Sequence, residues 1–259
     1  MLKRPSRREV LRVLAFGLPG ARLCLAQDDG EKKDAKDKYP LPPPIPEAKL
    51  LPTLTTTPVR RGETGANWTV VDATVLPKDR QGIWVLDFAF LPMRIKTVQI
   101  PGKGRRVLHY IYYRVINHTG APRAFTPEFV LVTDTGKRYQ DTVLPQAVKV
   151  IEASEDPTRP LLGAVEVMGM IPPSGKKEGI DDAVFGVAVW EAVDPKADLY
   201  TVYIRGLSDG MQELKPPDGG KPITRYKTLR LSFQKLGDDR DLRSDEIRLL
   251  DPPYEWIYW

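Results

Sequence analysis

From Trp68 onward the chain repeatedly alternates apolar and polar positions with a period of two, the pattern of a β-strand with one buried face. In Ile83–Phe90, the residues Trp84, Leu86, Phe88 and Phe90 fall on one side. Lys227, Leu229, Leu231 and Phe233 alternate with Thr228, Arg230 and Ser232, so an apolar face begins at a lysine. Arg106–Ile116 is different, with Val107, Ile111 and Val115 on one face and Leu108, Tyr110, Tyr112 and Ile116 on the other. A strand apolar on both faces belongs in the middle of a sheet covered on both sides. Further strands are expected at Trp68–Leu76, Met93–Ile100, Glu128–Thr133, Ala164–Met170, Ala183–Trp190 and Leu199–Arg205. Turns are expected at Pro101–Gly104, Asn117–Gly120 and Asp134–Lys137. Gln146–Glu155 is the one helical candidate, with Val148 and Ile151 three apart between Pro145 and Pro157. Strands separated by turn signals, with one short helix inserted, predict an all-β antiparallel β-sandwich over residues 66–259.

The N-terminal quarter follows another pattern. Residues 27–38 are a mixed-charge run without an apolar anchor, and Pro40, Pro42, Pro43, Pro44, Pro46, Pro52 and Pro58 follow. Proline holds the backbone extended and biases the residue before it the same way. Residues 27–65 therefore read as a charged, Pro-rich, disordered linker that spaces the body from its N-terminus. Ahead of it, Ser6-Arg7-Arg8-Glu9-Val10-Leu11-Arg12 precedes the moderately apolar Val13–Ala26. This layout resembles the twin-arginine export signal of bacteria, with Val10 where Phe is usual and Arg12 where Lys is usual. It implies an exported protein, periplasmic or extracellular, with a signal peptide over residues 1–26. A membrane span needs roughly 20 apolar residues, and Arg12 and Arg22 interrupt this run.

Composition adds exclusions. The formal charge of the 259 residues is +5, but the first 26 hold six of the 39 Lys and Arg and one of the 34 Asp and Glu. The remainder has 33 of each sign, so the body carries no net basic field for a nucleic-acid backbone. The single cysteine, Cys24, lies in the leader. The body is thus without a disulfide, a thiolate nucleophile or a Cys-ligated zinc site. Imidazole chemistry rests on His109, expected on a buried strand, and His118, expected in a solvated turn.

Three ordered segments carry a family resemblance. They are Tyr113-Arg114-Val115-Ile116-Asn117-His118-Thr119-Gly120, Pro127-Glu128-Phe129-Val130-Leu131 and Asp134-Thr135-Gly136-Lys137-Arg138-Tyr139. Ile171-Pro172-Pro173-Ser174-Gly175 then leads to Gly179 and the strand Val184–Trp190. The series resembles bacterial extracytoplasmic immunoglobulin-like domains of unknown function, found in secreted proteins and lipoproteins, over about residues 105–205. The resemblance implies an immunoglobulin-like sandwich with a binding, scaffold or envelope role, and it carries over no catalytic residue.

Gly206-Leu207-Ser208-Asp209-Gly210 matches G-x-S-x-G, yet Pro216-Pro217 leaves little room for the helix that a nucleophile elbow requires. Both histidines also lie upstream of Ser208, against the usual order, so a turn is expected there. Asp238-Asp239-Arg240-Asp241 with Asp245-Glu246 lacks calcium-loop spacing and reads as a surface loop. Asp181-Asp182 reads as a turn. No catalytic, cofactor or metal residue is expected. The remaining candidate binding surface is the C-terminus, with Tyr254, Trp256, Tyr258 and Trp259. As a final strand, Tyr254, Trp256 and Tyr258 would face one way, Ile257 and Trp259 the other. Exposed, these aromatics would stack sugar rings; buried, they would leave protein contact as the better reading. The leading expectation is an exported, non-enzymatic module acting through protein–protein contacts. A carbohydrate-binding module is the alternative, and a hydrolase using Ser208 a second.

Overall fold

The computed structural model describes residues 51–62, 67–175, 177–216, 219–236 and 247–259. The expected signal, residues 27–50 of the expected linker and the acidic stretch Asp238–Glu246 lie outside them. In chain order the strands are β1 (Thr57–Arg60), β2 (Thr69–Val71), β3 (Asp87–Phe90), β4 (Arg94–Ile100), β5 (Gly104–Ile116), β6 (Arg123–Phe125), β7 (Glu128–Thr133) and β8 (Arg138–Gln140). Helix α1 (Pro145–Glu155) follows, and then β9 (Gly169–Ile171), β10 (Ile180–Glu191), β11 (Leu199–Arg205), β12 (Met211–Leu214), β13 (Ile223–Lys235) and β14 (Ile247–Tyr258).

The doubly apolar β5 is the middle of the first sheet. β10 pairs with one of its edges, and β4 and β3 share the other, with β1 outside β10 and β2 outside β3. The second sheet runs β8-β7-β11-β13-β14, with β12 pairing β13 beyond the end of β11. β6 and β9 form a small separate ladder. The chain thus crosses from β5 to β7, returns from β8 to β10 through α1, and crosses again to β11. This is an all-β antiparallel sandwich with one short helix inserted between β8 and β9.

The alternation along β5 divides the apolar residues between two cores. Ile111, Tyr113 and Val115 pack between the sheets against Phe129, Leu131, Val202, Ile204, Leu229 and Leu231. Leu108, Tyr110, Tyr112 and Ile116 face outward into a second cluster with Ala147, Val148 and Ile151 of α1. The helix begins with a proline, lacks a side-chain N-cap and is rich in β-branched residues, so its own propensity is poor. Burial of that one apolar face sustains it. At its end, Glu155 accepts hydrogen bonds from Arg94 and from the Tyr110 hydroxyl at 2.6 Å, which anchors α1 to β4 and β5. Between the sheets, Gly186 of β10 lies opposite Tyr113. A Cβ there would come within 2.4 Å of the tyrosine ring, so only glycine allows this close approach.

Several expected boundaries shift for identifiable reasons. Only Thr69–Val71 of Trp68–Leu76 is a strand, because the chain then leaves the first sheet to reach β14. Residues 164–167 form a turn in place of the strand expected over Ala164–Met170. There the Glu166 carboxylate accepts the Gly163 N–H at 3.0 Å, a local bond that competes with strand pairing. Thr57–Arg60, assigned by the sequence to the linker, is an edge strand whose Val59 is buried in the outer core. Its neighbour Pro58 is tolerated because an edge strand has a side that needs no donor.

One polar contact ties the two sheets together. Lys227 lies on the inner face of β13, in line with Leu229 and Leu231, and its side chain is 1% exposed. Its Nζ lies 2.6 Å from Asp79 Oδ2, on a carboxylate 2% exposed, and also donates to the Thr74 carbonyl at 2.6 Å. Asp79 further accepts the Leu76 N–H at 2.7 Å and the Tyr258 hydroxyl. Burial alone would raise the Asp79 carboxyl. The hydrogen bonds from Lys227, Tyr258 and Leu76 outweigh burial and hold it below the usual carboxylate range. Lys227→Met leaves a buried carboxylate without its cation and is expected to cost about 3–5 kcal/mol in urea unfolding. Adding Asp79→Leu should restore most of that loss. A single-variant cost below about 1 kcal/mol would mean that the pair does not hold the sheets.

Candidate functional site

The C-terminal strand distributes its aromatics as the alternation indicates. Tyr254, Trp256 and Tyr258 point inward to the segment between β2 and β3. Trp256 Nε1 donates to the Asp72 carbonyl at 2.8 Å, and its indole is buried in the main core. The Tyr254 hydroxyl accepts the Asp72 N–H at 3.2 Å, and the Tyr258 hydroxyl donates to Asp79. Three of the four candidate binding residues therefore join the sheets.

Trp259 faces outward. Reciprocal backbone bonds of 3.1 Å with Tyr226 hold its position beside β13. Its ring stacks on Tyr203 of β11 with centroids 4.5 Å apart and planes 12° apart. The guanidinium carbons of Arg205 and Arg138 lie 4.8 and 5.0 Å from its centre, and Arg205 also lies 5.5 Å over Tyr226. A guanidinium stacked on a ring keeps its plane fixed and its N–H edge directed away from the ring. Arg205 uses one N–H on Glu128 at 3.2 Å. Arg138, Tyr203, Arg205 and Tyr226 were not anticipated from the sequence. They come from β8, β11 and β13, and their only mark in the sequence is an outward position in each strand's alternation.

A cleft of about 250 Å³ opens elsewhere, on the first sheet, lined in part by Asp87, Phe88, Arg114, Ile116, His118 and Asp181. His118 Nδ1 contacts Asp87, and Nε2 lies 3.0 Å from Asp181 Oδ1. Arg61 donates to the same oxygen at 2.9 and 3.1 Å. Both nitrogens can donate only in the imidazolium form. Burial opposes that charge, but the bonds to Asp181 and Asp87 outweigh it and raise the His118 pKa. Asp181 is held low because the bonds from Arg61 and His118 outweigh its burial. His118 lies exposed in the turn after β5, as expected, and is in addition clamped between two acids, whereas Asp181 and Asp182 belong to β10, where a turn was expected. Ser174 Oγ accepts the Asp182 N–H at 2.8 Å and has no bond to the imidazole. The cluster braces β1, β3, β10 and the turn after β5. Among the described residues, no group of three or more His, Cys, Asp or Glu side chains is placed to hold a metal ion.

His109 is a buried histidine of β5, 5.6 Å from the Tyr200 ring, and burial followed by the charge of Lys235 lowers it to about 4. The Ser208 hydroxyl donates to the Trp84 carbonyl at 2.6 Å and accepts the Gly210 N–H at 3.1 Å. A strand, β12, follows it where a nucleophile elbow would need a helix. No family model, curated protein or solved structure matches the chain.

The two histidines pull stability in opposite directions. His118, raised in the folded state, stabilises fully below its ordinary value of 6.5 and loses that contribution as pH climbs through its folded value. Asp181, held below its ordinary 3.8, contributes above that value and loses it as pH falls. His109 costs stability as pH drops from 6.5 toward about 4. In thermal melts followed by circular dichroism, the wild-type midpoint should fall as pH rises above about 6.5. His118→Gln should flatten that fall and also weaken the acid-side loss, because Asp181 loses one of the two partners that hold it low; curves parallel to the wild type would remove the clamp from the account.

Proposed function

We propose that this chain is an exported, non-enzymatic module of the bacterial cell envelope that binds another protein through the outer face of its second sheet. The carrying observation is the stack of Tyr203 and Trp259 with Arg138 and Arg205 against it, on a face over which no described element packs. Trp, Tyr and Arg are the residue types that dominate binding hot spots, and rigid stacking lowers the entropy lost when they dock. On the outer face of the first sheet, α1 packs a core of its own, and the rings of Trp68, Tyr112 and Phe185 with Arg114 and Arg159 against them join that core.

Export is supported by the twin-arginine-like leader, and an envelope role by the resemblance to extracytoplasmic immunoglobulin-like domains. No described helix is long and apolar enough to cross a membrane. The neutral body argues against a nucleic-acid partner. Against a hydrolase, Ser208 is engaged by two backbone groups and both His118 nitrogens by carboxylates. Against sugar stacking, three of the terminal aromatics point inward, and Trp259 already has Tyr203, Arg138 and Arg205 against its ring.

A photoreactive amino acid at Tyr226, which is 45% exposed, should cross-link to a single protein in intact cells. The same group at Val150 on α1 should not. The mass spectra should also show a mature N-terminus following Ala26. Cross-linking to glycan only, or equal labelling from both positions, would overturn the protein-binding reading, and an intact leader would overturn export.

A further inference from the structure

We propose that the partner segment on this face is acidic and extended, with carboxylates at alternate residues that meet the guanidinium groups of Arg138 and Arg205 beside Trp259. This rests on the protein-binding reading above and names the chemistry of the partner.

The charge on the outer face is lopsided. Arg230 is paired with Glu255, and Arg205 shares one N–H with Glu128. Arg138 is exposed and is held by the face of the Trp259 ring, with no carboxylate within ion-pair distance among the described residues. Arg205 donates one terminal nitrogen to Glu128 at 3.2 Å and the other to the Trp259 carbonyl at 3.5 Å, and these bonds together with stacking between Trp259 and Tyr226 orient its guanidinium. Both groups are fixed before a partner arrives, and a planar guanidinium fork matches a carboxylate better than any neutral acceptor.

The spacing specifies the ligand further. The guanidinium carbons of Arg205 and Arg138 lie 4.8 and 5.0 Å from one ring centre, so they stand no more than roughly 10 Å apart. In an extended peptide, side chains two residues apart point the same way and are roughly 7 Å apart. Acids at i and i+2 therefore fall within reach of both cations. A helical segment would place acids on one face at i and i+4 and would lift its backbone off this flat surface.

The test is fluorescence anisotropy with the full chain and a fluorescein-labelled 12-residue peptide of alternating glutamate and threonine. Two control peptides carry glutamine or lysine in place of glutamate. The glutamate peptide should bind about tenfold tighter than the glutamine peptide, the lysine peptide should not bind, and added salt should weaken binding. Arg138→Gln should cost about tenfold, and Arg138→Lys should recover part of it by restoring charge without the stacked plane. Arg230→Gln should change affinity less than about twofold, and all three variants should melt like the wild type. Equal binding of the glutamate and glutamine peptides, no effect of Arg138→Gln, or tighter binding of an acidic oligosaccharide than of the peptide would overturn the proposal. A protein cross-linked through Tyr226 whose contacting segment lacks acids would overturn this inference alone. Absence of any protein cross-link there would overturn the reading beneath it.

Discussion

A buried charge pair organises this molecule. Lys227 occupies a position that the strand pattern reserves for an apolar side chain, and a cation there is tolerable only with a partner of opposite sign. Asp79 supplies it from the segment between β2 and β3. Around this pair, Tyr254, Trp256 and Tyr258 of β14 bond to Asp72 and Asp79. The segment that leaves the first sheet is thereby bound to the last strand of the second. An apolar core supplies most of the adhesion between two sheets but is not directional. The ion pair and its hydrogen bonds select one position of that segment on β13 and β14.

The consequences reach the outer surface. Because Tyr254, Trp256 and Tyr258 turn inward, the alternation of β14 continues outward at Trp259, which lands beside Tyr203 and between Arg205 and Arg138. The same strand therefore closes the sandwich with one face and builds the proposed binding surface with the other. The two sheets are also unequal. α1 and its apolar face seal the first, whereas the second keeps an outward layer of stacked rings and guanidinium groups.

The reactive side chains are spent on structure. His118 braces four segments through Asp87 and Asp181, His109 lies neutral in the core, and the Ser208 hydroxyl closes a turn onto Trp84. Both nitrogens of His118 and the hydroxyl of Ser208 are engaged, whereas His109 Nδ1 is buried without a hydrogen-bond partner.

The sandwich was legible in the sequence wherever a residue's role depends on its strand neighbours. The period-two runs located β4, β5, β7, β10, β11 and β13 closely, whereas only Asp87–Phe90 of the strand expected over Ile83–Phe90 pairs as β3. The double-sided apolarity of β5 anticipated a sheet covered on both faces, and the parity of β14 separated Trp259 from its three neighbours. Short edge strands escaped, since β1 has one buried residue among threonine, proline and arginine. Partners remote in sequence escaped as well. The pairing of Lys227 with Asp79 spans 148 residues, and that of His118 with Asp181 spans 63. The stack at Trp259 draws on three further strands. Local pattern determined which face each side chain takes, because alternation is a property of the strand itself. Which faces meet, and hence which charges are paired and which rings are stacked, was decided only when strand order and register brought distant segments together.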